Sequence, residues 1–289
     1  MSGLTGGAIL ARMPNSQAQG KGKTTMKAMD RLHEEMHFHD AQAAARADRF
    51  ARAHQLVFCD DDYLDHETWI RPAFAKLGPL AGTDALDLGC GHGMASVVLA
   101  RAGARVTALD VSAGYLGEAR RRAEANGVAP TFIWGDAERL PFADASFDRI
   151  WGNAILHHLD VAIAGLELLR VLRPGGIAVF CEPWGENPVL ELARRWMPYP
   201  GKDRTRDERP LRQRDLERLR AVVPHLQTEG YQLLSMARRV LGHGQLSRGL
   251  SWCDERLLKW VPVLNHYCRY AVLTIRVEES KLPGVLVPE

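Results

Sequence analysis

The stretch Asp87-Leu88-Gly89-Cys90-Gly91-His92-Gly93 decides the fold. It continues the apolar run Ala85-Leu86-Asp87-Leu88, which reads as a short strand, and it opens a helix that runs to Arg101. Three glycines between a strand and a helix let the backbone turn sharply and leave its peptide groups open to a ligand. In an open α/β sheet such a ligand sits at the carboxyl ends of the strands. Two ligand classes compete, a dinucleotide and a nucleoside carrying an amino acid. The dinucleotide fingerprint G-x-G-x-x-G/A fits poorly, because its third position is Met94 counted from Gly89 and Ser96 counted from Gly91.

Downstream, strand and helix signals alternate. Arg105 to Leu109, Thr131 to Trp134, Phe147 to Trp151 and Ile177 to Cys181 read as strands. Between them, Ser112 caps a helix that ends at Asn126-Gly127, and Asp160 to Leu172 is a helix stopped by Arg173-Pro174-Gly175-Gly176. This alternation predicts an α/β fold with a parallel sheet covered by helices on both faces. Further strands are expected at Tyr231 to Leu234 and at Tyr270 to Ile275. The helical spacing of Leu250, Cys253, Leu257, Trp260 and Leu264 predicts a helix packed on the core.

The pattern D-x-G-x-G-x-G resembles motif I of the class I S-adenosylmethionine-dependent methyltransferases. The resemblance continues in order through Leu109-Asp110-Val111-Ser112, Gly135-Asp136-Ala137-Glu138, Leu140-Pro141-Phe142, Ser146-Phe147-Asp148, His157-His158-Leu159 and Leu169 to Gly176. It implies a Rossmann-like, seven-stranded, mostly parallel sheet, with S-adenosylmethionine as cofactor. It further implies that Gly89, Cys90, Gly91 and Gly93 admit the methionine portion and that Asp87 orients that loop or the cofactor's amino group. Asp110, beside Val111, takes the ribose hydroxyls. Asp136 and the amide of Ala137 read the adenine, and Asn153 lines the same crevice.

Methyl transfer from a sulfonium is an in-line displacement, so the protein mostly positions acceptor and methyl group. A general base helps where the acceptor is an O–H, N–H or acidic C–H. His157, His158 and Glu182, at strand ends facing the cofactor, are the candidates. Each also has a structural reading, as a core histidine or as an arginine partner. From Arg194 to Arg220, ten basic residues face five acidic ones. Such a run is either a solvated face or a lid that receives an anionic substrate group. The lid reading makes Arg204, Arg206, Trp184 and Tyr199 substrate-binding residues. The organisation expected is a disordered tail over 1–29, a helical cap over 30–78, and a methyltransferase domain over 79–289 with a basic cap inserted at about 183–224.

Composition narrows the field. The chain has 289 residues, 46% hydrophobic and 25% charged, with a formal net charge of +2. That excludes a disordered or collagen-like chain and argues against a general nucleic-acid binder. An Asn/Asp-Pro-Pro-aromatic motif, which resembles amino-methylating nucleic-acid enzymes, is absent where Asn153-Ala154-Ile155-Leu156 stands. A small-molecule substrate and no nucleic-acid partner are therefore expected. Five cysteines without a C-x-x-C pair suit a reducing cytosol, and no apolar run reaches membrane-spanning length, so a cytoplasmic protein is expected. Gly20-Lys21-Gly22-Lys23-Thr24-Thr25 is no P-loop, since Gln17 stands where the first glycine belongs. His33-Glu34-Glu35-Met36-His37 matches H-E-x-x-H, which would make a zinc hydrolase. Glu35 puts a charge where a buried metal helix carries an apolar residue, and no metal is assigned. The other alternative is a cofactor-binding module that does not methylate.

Overall fold

The computed structural model describes residues 16–47, 53–196, 209–237 and 245–278. Helix α1 spans Ser16–Ala47. Residues 16–29, expected as part of a disordered tail, are its first turns. Gln, Ala, Lys and Met dominate there, and helix propagates readily through such residues once a nucleus exists further along. Short helices α2 (Asp60–Leu64) and α3 (Ile70–Ala75) follow. Tyr63, Trp69, Ile70, Ala73 and Leu77 are buried against the sheet. This part of the 30–78 segment is core rather than cap, because its apolar residues recur on one face.

Strands β1 (Asp84–Leu88), β2 (Arg105–Asp110), β3 (Thr131–Trp134), β4 (Phe147–Asn153), β5 (Leu172–Pro183), β6 (Gln227–Tyr231) and β7 (Tyr270–Arg276) form one sheet in the order β3-β2-β1-β4-β5-β7-β6. β1 to β5 are parallel, and β7 runs antiparallel between β5 and β6. The order reverses between β1 and β4, which opens a crevice at their carboxyl ends. β6 ends at Tyr231, the first residue of the expected 231–234 run. Gln232 turns the chain at φ 61° and spends its side chain on Glu67, Thr68 and Arg269, which stops the ladder there.

Alternation within the strands sets two cores. Leu86, Leu88, Ile150, Ala178 and Phe180 face one side, and Ala85, Trp151, Val179 and Cys181 face the other. Both faces are therefore apolar, as a covered parallel sheet requires. Asp87 is the exception on the second face.

Helices α4 (Met94–Arg101) and α5 (Ala113–Ala125) connect β1 to β2 and β2 to β3, and α6 (Val161–Val171) connects β4 to β5. Ser112 caps α5 as expected, and Asp160, expected as the first residue of a helix, is instead the cap of α6; each accepts backbone N–H bonds. α7 (Pro188–Trp196) and α8 (Gln213–Val222) lie in the segment expected as a basic cap. α8 is instead a core helix, with Leu216 and Leu219 buried beside Leu168 of α6. Several arginines of this segment are paired within the fold. Arg218 forks onto Asp160 at 2.9 and 2.7 Å, and just before α8 Arg209 grips Asp215 at 2.6 Å.

Helix α9 (Gln245–Trp260) does not bury the expected stripe. Cys253 is exposed and Trp260 is 84% exposed. Asp254 is buried in their stead, accepting from Leu233, Leu234 and Ser235, and these bonds fix which face turns inward. All five cysteines are free. Among the described residues, no helix is long and apolar enough to cross a membrane.

Candidate functional site

The turn after β1 places Gly89, Gly91 and Gly93 at φ 68°, 50° and 81°, a region that favours glycine. Their surroundings differ. A Cβ on Gly89 would meet Ile155 at 2.7 Å, and one on Gly93 would meet Ala119 at 2.7 Å, whereas one on Gly91 would meet nothing within 4 Å. Gly89 and Gly93 serve close packing. Gly91 faces open space.

That space is a crevice of about 820 Å³. Asp87 of β1, Gly89, Cys90, Gly91, Asp110 and Val111 after β2, Asp136 and Ala137 after β3, and Asn153 of β4 all line it. Gly93 does not. It starts α4 and packs on α5, a correction to its expected place in the binding loop.

Asp110 is 7% exposed. Its Oδ2 accepts the N–H of Gly91 at 2.7 Å and its Oδ1 accepts that of Ser112 at 2.9 Å. Burial raises its pKa, against the opposing pull of these N–H groups and of His39. A carboxylate has about four acceptor positions, so each oxygen keeps one for a ligand. Asp136 Oδ1 accepts the N–H of Glu138 at 2.8 Å, which holds the turn after β3. Asp87 is buried at the crevice floor, where Ser96 donates to it at 2.5 Å. Burial pushes its carboxyl up to about 7, opposed by the Ser96 hydrogen bond and assisted by the nearby charge of Asp110.

The expected bases divide. Glu182 is fully buried, and its Oε1 accepts the N–H groups of Ile155 and Leu156 at 3.0 and 2.8 Å. Its Oε2 lies 2.8 Å from His157 Nδ1. Neither residue lines the crevice. Both brace the short turn Leu156–His158 from behind, a correction that follows from a buried carboxylate needing every donor within reach. His158, on the other side of that turn, does line the crevice. Trp184 is also corrected. It is 3% exposed in the core, with its indole N–H on the carbonyl of His266. Tyr199, Arg204 and Arg206 lie outside the described residues.

Helix α1 forms a wall of the crevice. Arg31, Leu32, Glu35, His39 and Arg46 face inward. His33, Glu34 and His37 are exposed on the opposite side, so the H-E-x-x-H residues converge on nothing. The wall is pinned by Asp40, which accepts from Ser112 Oγ at 2.5 Å and Gly114 N at 3.0 Å, and by an ion pair between Arg31 and Glu138. Sequence reading missed these inward residues. Their spacing of 32, 35, 39, 43 and 46, which includes the buried Ala43, is the helical signal that marks them.

Residues 86–180 match the protein family described as a methyltransferase domain. That stretch is a methyltransferase domain, and its likenesses support the class I S-adenosylmethionine-dependent kind. The domain is 42% identical over 127 residues to a demethylmenaquinone methyltransferase of Beutenbergia cavernae, covering 42% of this chain and 51% of that one. It is 42% identical over 118 residues to a malonyl-[acyl-carrier protein] O-methyltransferase of Erwinia billingiae, covering 40% and 45%. The chain thus spans about half the length of these curated relatives. A chain in the complex of the Haloferax volcanii Trm112 methyltransferase activator is 20% identical, with a TM-score of 0.54 over 83% of this chain and 97% of that one, and it shares the fold. Together with the sheet order, these likenesses make the methyltransferase domain a seven-stranded, mostly parallel Rossmann-like sheet.

Proposed function

We propose that this protein transfers the methyl group of S-adenosylmethionine to a small-molecule acceptor. One observation carries the reading. Three carboxylates, from the ends of β1, β2 and β3, converge with an unobstructed glycine on a single crevice at the point where the strand order reverses. The donor set fits the cofactor. Asp110 keeps acceptor positions for vicinal hydroxyls, Asp136 and the turn at Ala137 suit an adenine edge, and Asp87 below Gly91 suits a cationic group. The bound cofactor supplies a methyl group on a positively charged sulfur.

The chain's own work is then positional. The bonds of Asp110 to Gly91 and Ser112 hold the glycine turn against β2. Glu182 fixes the turn that presents His158. Helix α1 walls one side of the crevice. Among the described basic side chains after β5, Arg209 and Arg218 are paired within the fold. We assign the acceptor to the side of the crevice bounded by Glu35, His39, His158 and the apolar Leu159 and Ile163. The relatives' names concern demethylmenaquinone and, with O-methylation, a malonyl-[acyl-carrier protein]. The stretch that matches the methyltransferase family is 86–180, and helix α1 of the acceptor wall precedes it.

Calorimetry with S-adenosylhomocysteine tests the reading, followed by turnover assays against quinol, phenol and carboxylate acceptors. Saturable binding and release of S-adenosylhomocysteine are expected. Absence of affinity for it, with binding of a nicotinamide dinucleotide, refutes the assignment.

A further inference from the structure

On the inward face of α1, Glu35 and His39 are one turn apart, and both meet His158 from the turn after β4. Glu35 Oε2 lies 3.3 Å from His39 Nε2 and 3.1 Å from His158 Nδ1. One donor atom from each of the three residues lies within 4.8 Å of the others. The Nδ1 atom of His158 is buried and makes no hydrogen bond, although it sits so near a carboxylate oxygen. Ligands about 2.0–2.1 Å from a tetrahedral ion stand roughly 3.3 Å apart, close to both separations.

We propose that Glu35, His39 and His158 form a binding site for one divalent transition-metal ion. Two imidazoles and a carboxylate are a donor set for zinc, iron, cobalt or nickel rather than for magnesium or calcium, which prefer oxygen. Three protein ligands leave a coordination position open, and here it faces the crevice that all three residues line. Resting on the proposed methyltransferase reading, that position selects acceptors that present an oxygen donor beside the methyl group. The site also ties the first helix to the sheet, since two ligands come from α1 and the third from the strand side.

The test uses full-length, tag-free protein stripped with a chelator and titrated with Co²⁺. One equivalent is expected to bind with the intense d–d absorption of a four- or five-coordinate ion, and Zn²⁺ should displace it. Glu35→Gln and His158→Gln should each weaken binding by about 100-fold or more, since even outer-sphere losses cost 10–100-fold. The double variant His33→Ala/His37→Ala, on the solvent face, should bind normally. No stoichiometric binding, or binding abolished by the solvent-face variant alone, overturns the proposal. Thermal unfolding of each variant reports folding, and if Glu35→Gln is misfolded the His158→Gln variant decides. S-adenosylhomocysteine affinity, measured on the same samples, reports the methyltransferase reading separately: cobalt binding without it leaves the metal site standing, and the reverse leaves only the cofactor reading.

Discussion

Asp110 Oδ2 accepts the backbone N–H of Gly91 at 2.7 Å, so the carboxylate after β2 and the apex of the glycine turn move as one unit. Asp110→Asn keeps the shape but leaves one oxygen to serve two N–H groups and a ligand. Hydrogen bonds to charged groups contribute about 1.5–3 kcal/mol, so affinity for S-adenosylhomocysteine should fall roughly 10- to 100-fold, with a lower melting temperature. Calorimetry and thermal unfolding check both. Unchanged affinity removes Asp110 from the cofactor site.

Gly91 and Gly93 separate function from packing. Gly91→Ala meets no atom and should cost about 1–2 kcal/mol of left-handed strain, while its methyl group narrows the crevice and weakens cofactor binding disproportionately. Gly93→Ala drives a methyl group into Ala119 and should destabilise by about 3 kcal/mol or more from strain and overpacking together. Denaturant titration beside calorimetry distinguishes them, and equal effects on stability contradict the assignment.

Asp87 gives a pH signature. Its carboxyl is raised to about 7 in the folded chain, so between the ordinary carboxylate range and that value the native state holds a proton that the unfolded state has lost. The stability it contributes is full at low pH and is lost as pH rises towards 7. A cationic ligand favours the carboxylate, so affinity for S-adenosylmethionine should rise with pH up to about 7, with proton release on binding. Calorimetry in buffers of different ionisation enthalpy measures the release. Asp87→Asn should flatten both profiles, and a flat profile in the unaltered protein argues against the mechanism.

Glu182→Gln should act on stability before chemistry. The amide keeps one acceptor oxygen and turns an NH₂ towards backbone donors, leaving a buried group unsatisfied at about 1–3 kcal/mol. A lower melting temperature with turnover largely retained at low temperature is expected. Loss of turnover in a variant of unchanged stability would restore Glu182 as a base.

The sheet was legible because its residues obey local rules: short apolar runs in β1, β4 and β5 that are buried on both faces, glycines after β1, and a cap at Ser112. The crevice-lining positions of Asp87, Asp110 and Asp136 were legible because these acids lie at fixed offsets from strand ends. The acceptor side was not. His157 and His158 are adjacent, and only the tertiary bond to Glu182 decides which one turns towards the crevice. Trp184 followed a strand end as a site residue would, yet the pairing of its backbone with Arg269 draws it into the core. On α1 the recognisable H-E-x-x-H spelling points to solvent, and the inward stripe has no spelling of its own.

The wall built by α1 comes from residues 31–46, some forty positions before the stretch at 86–180 shared with other methyltransferases begins. The wall that α1 contributes is thus a separate piece of sequence from the strand ends it faces, and it docks on them through Arg31 and Asp40. Exchange of the leading helix can retarget such a chain to new chemistry without disturbing the scaffold beneath, which makes that helix the natural unit for diversification and for engineering.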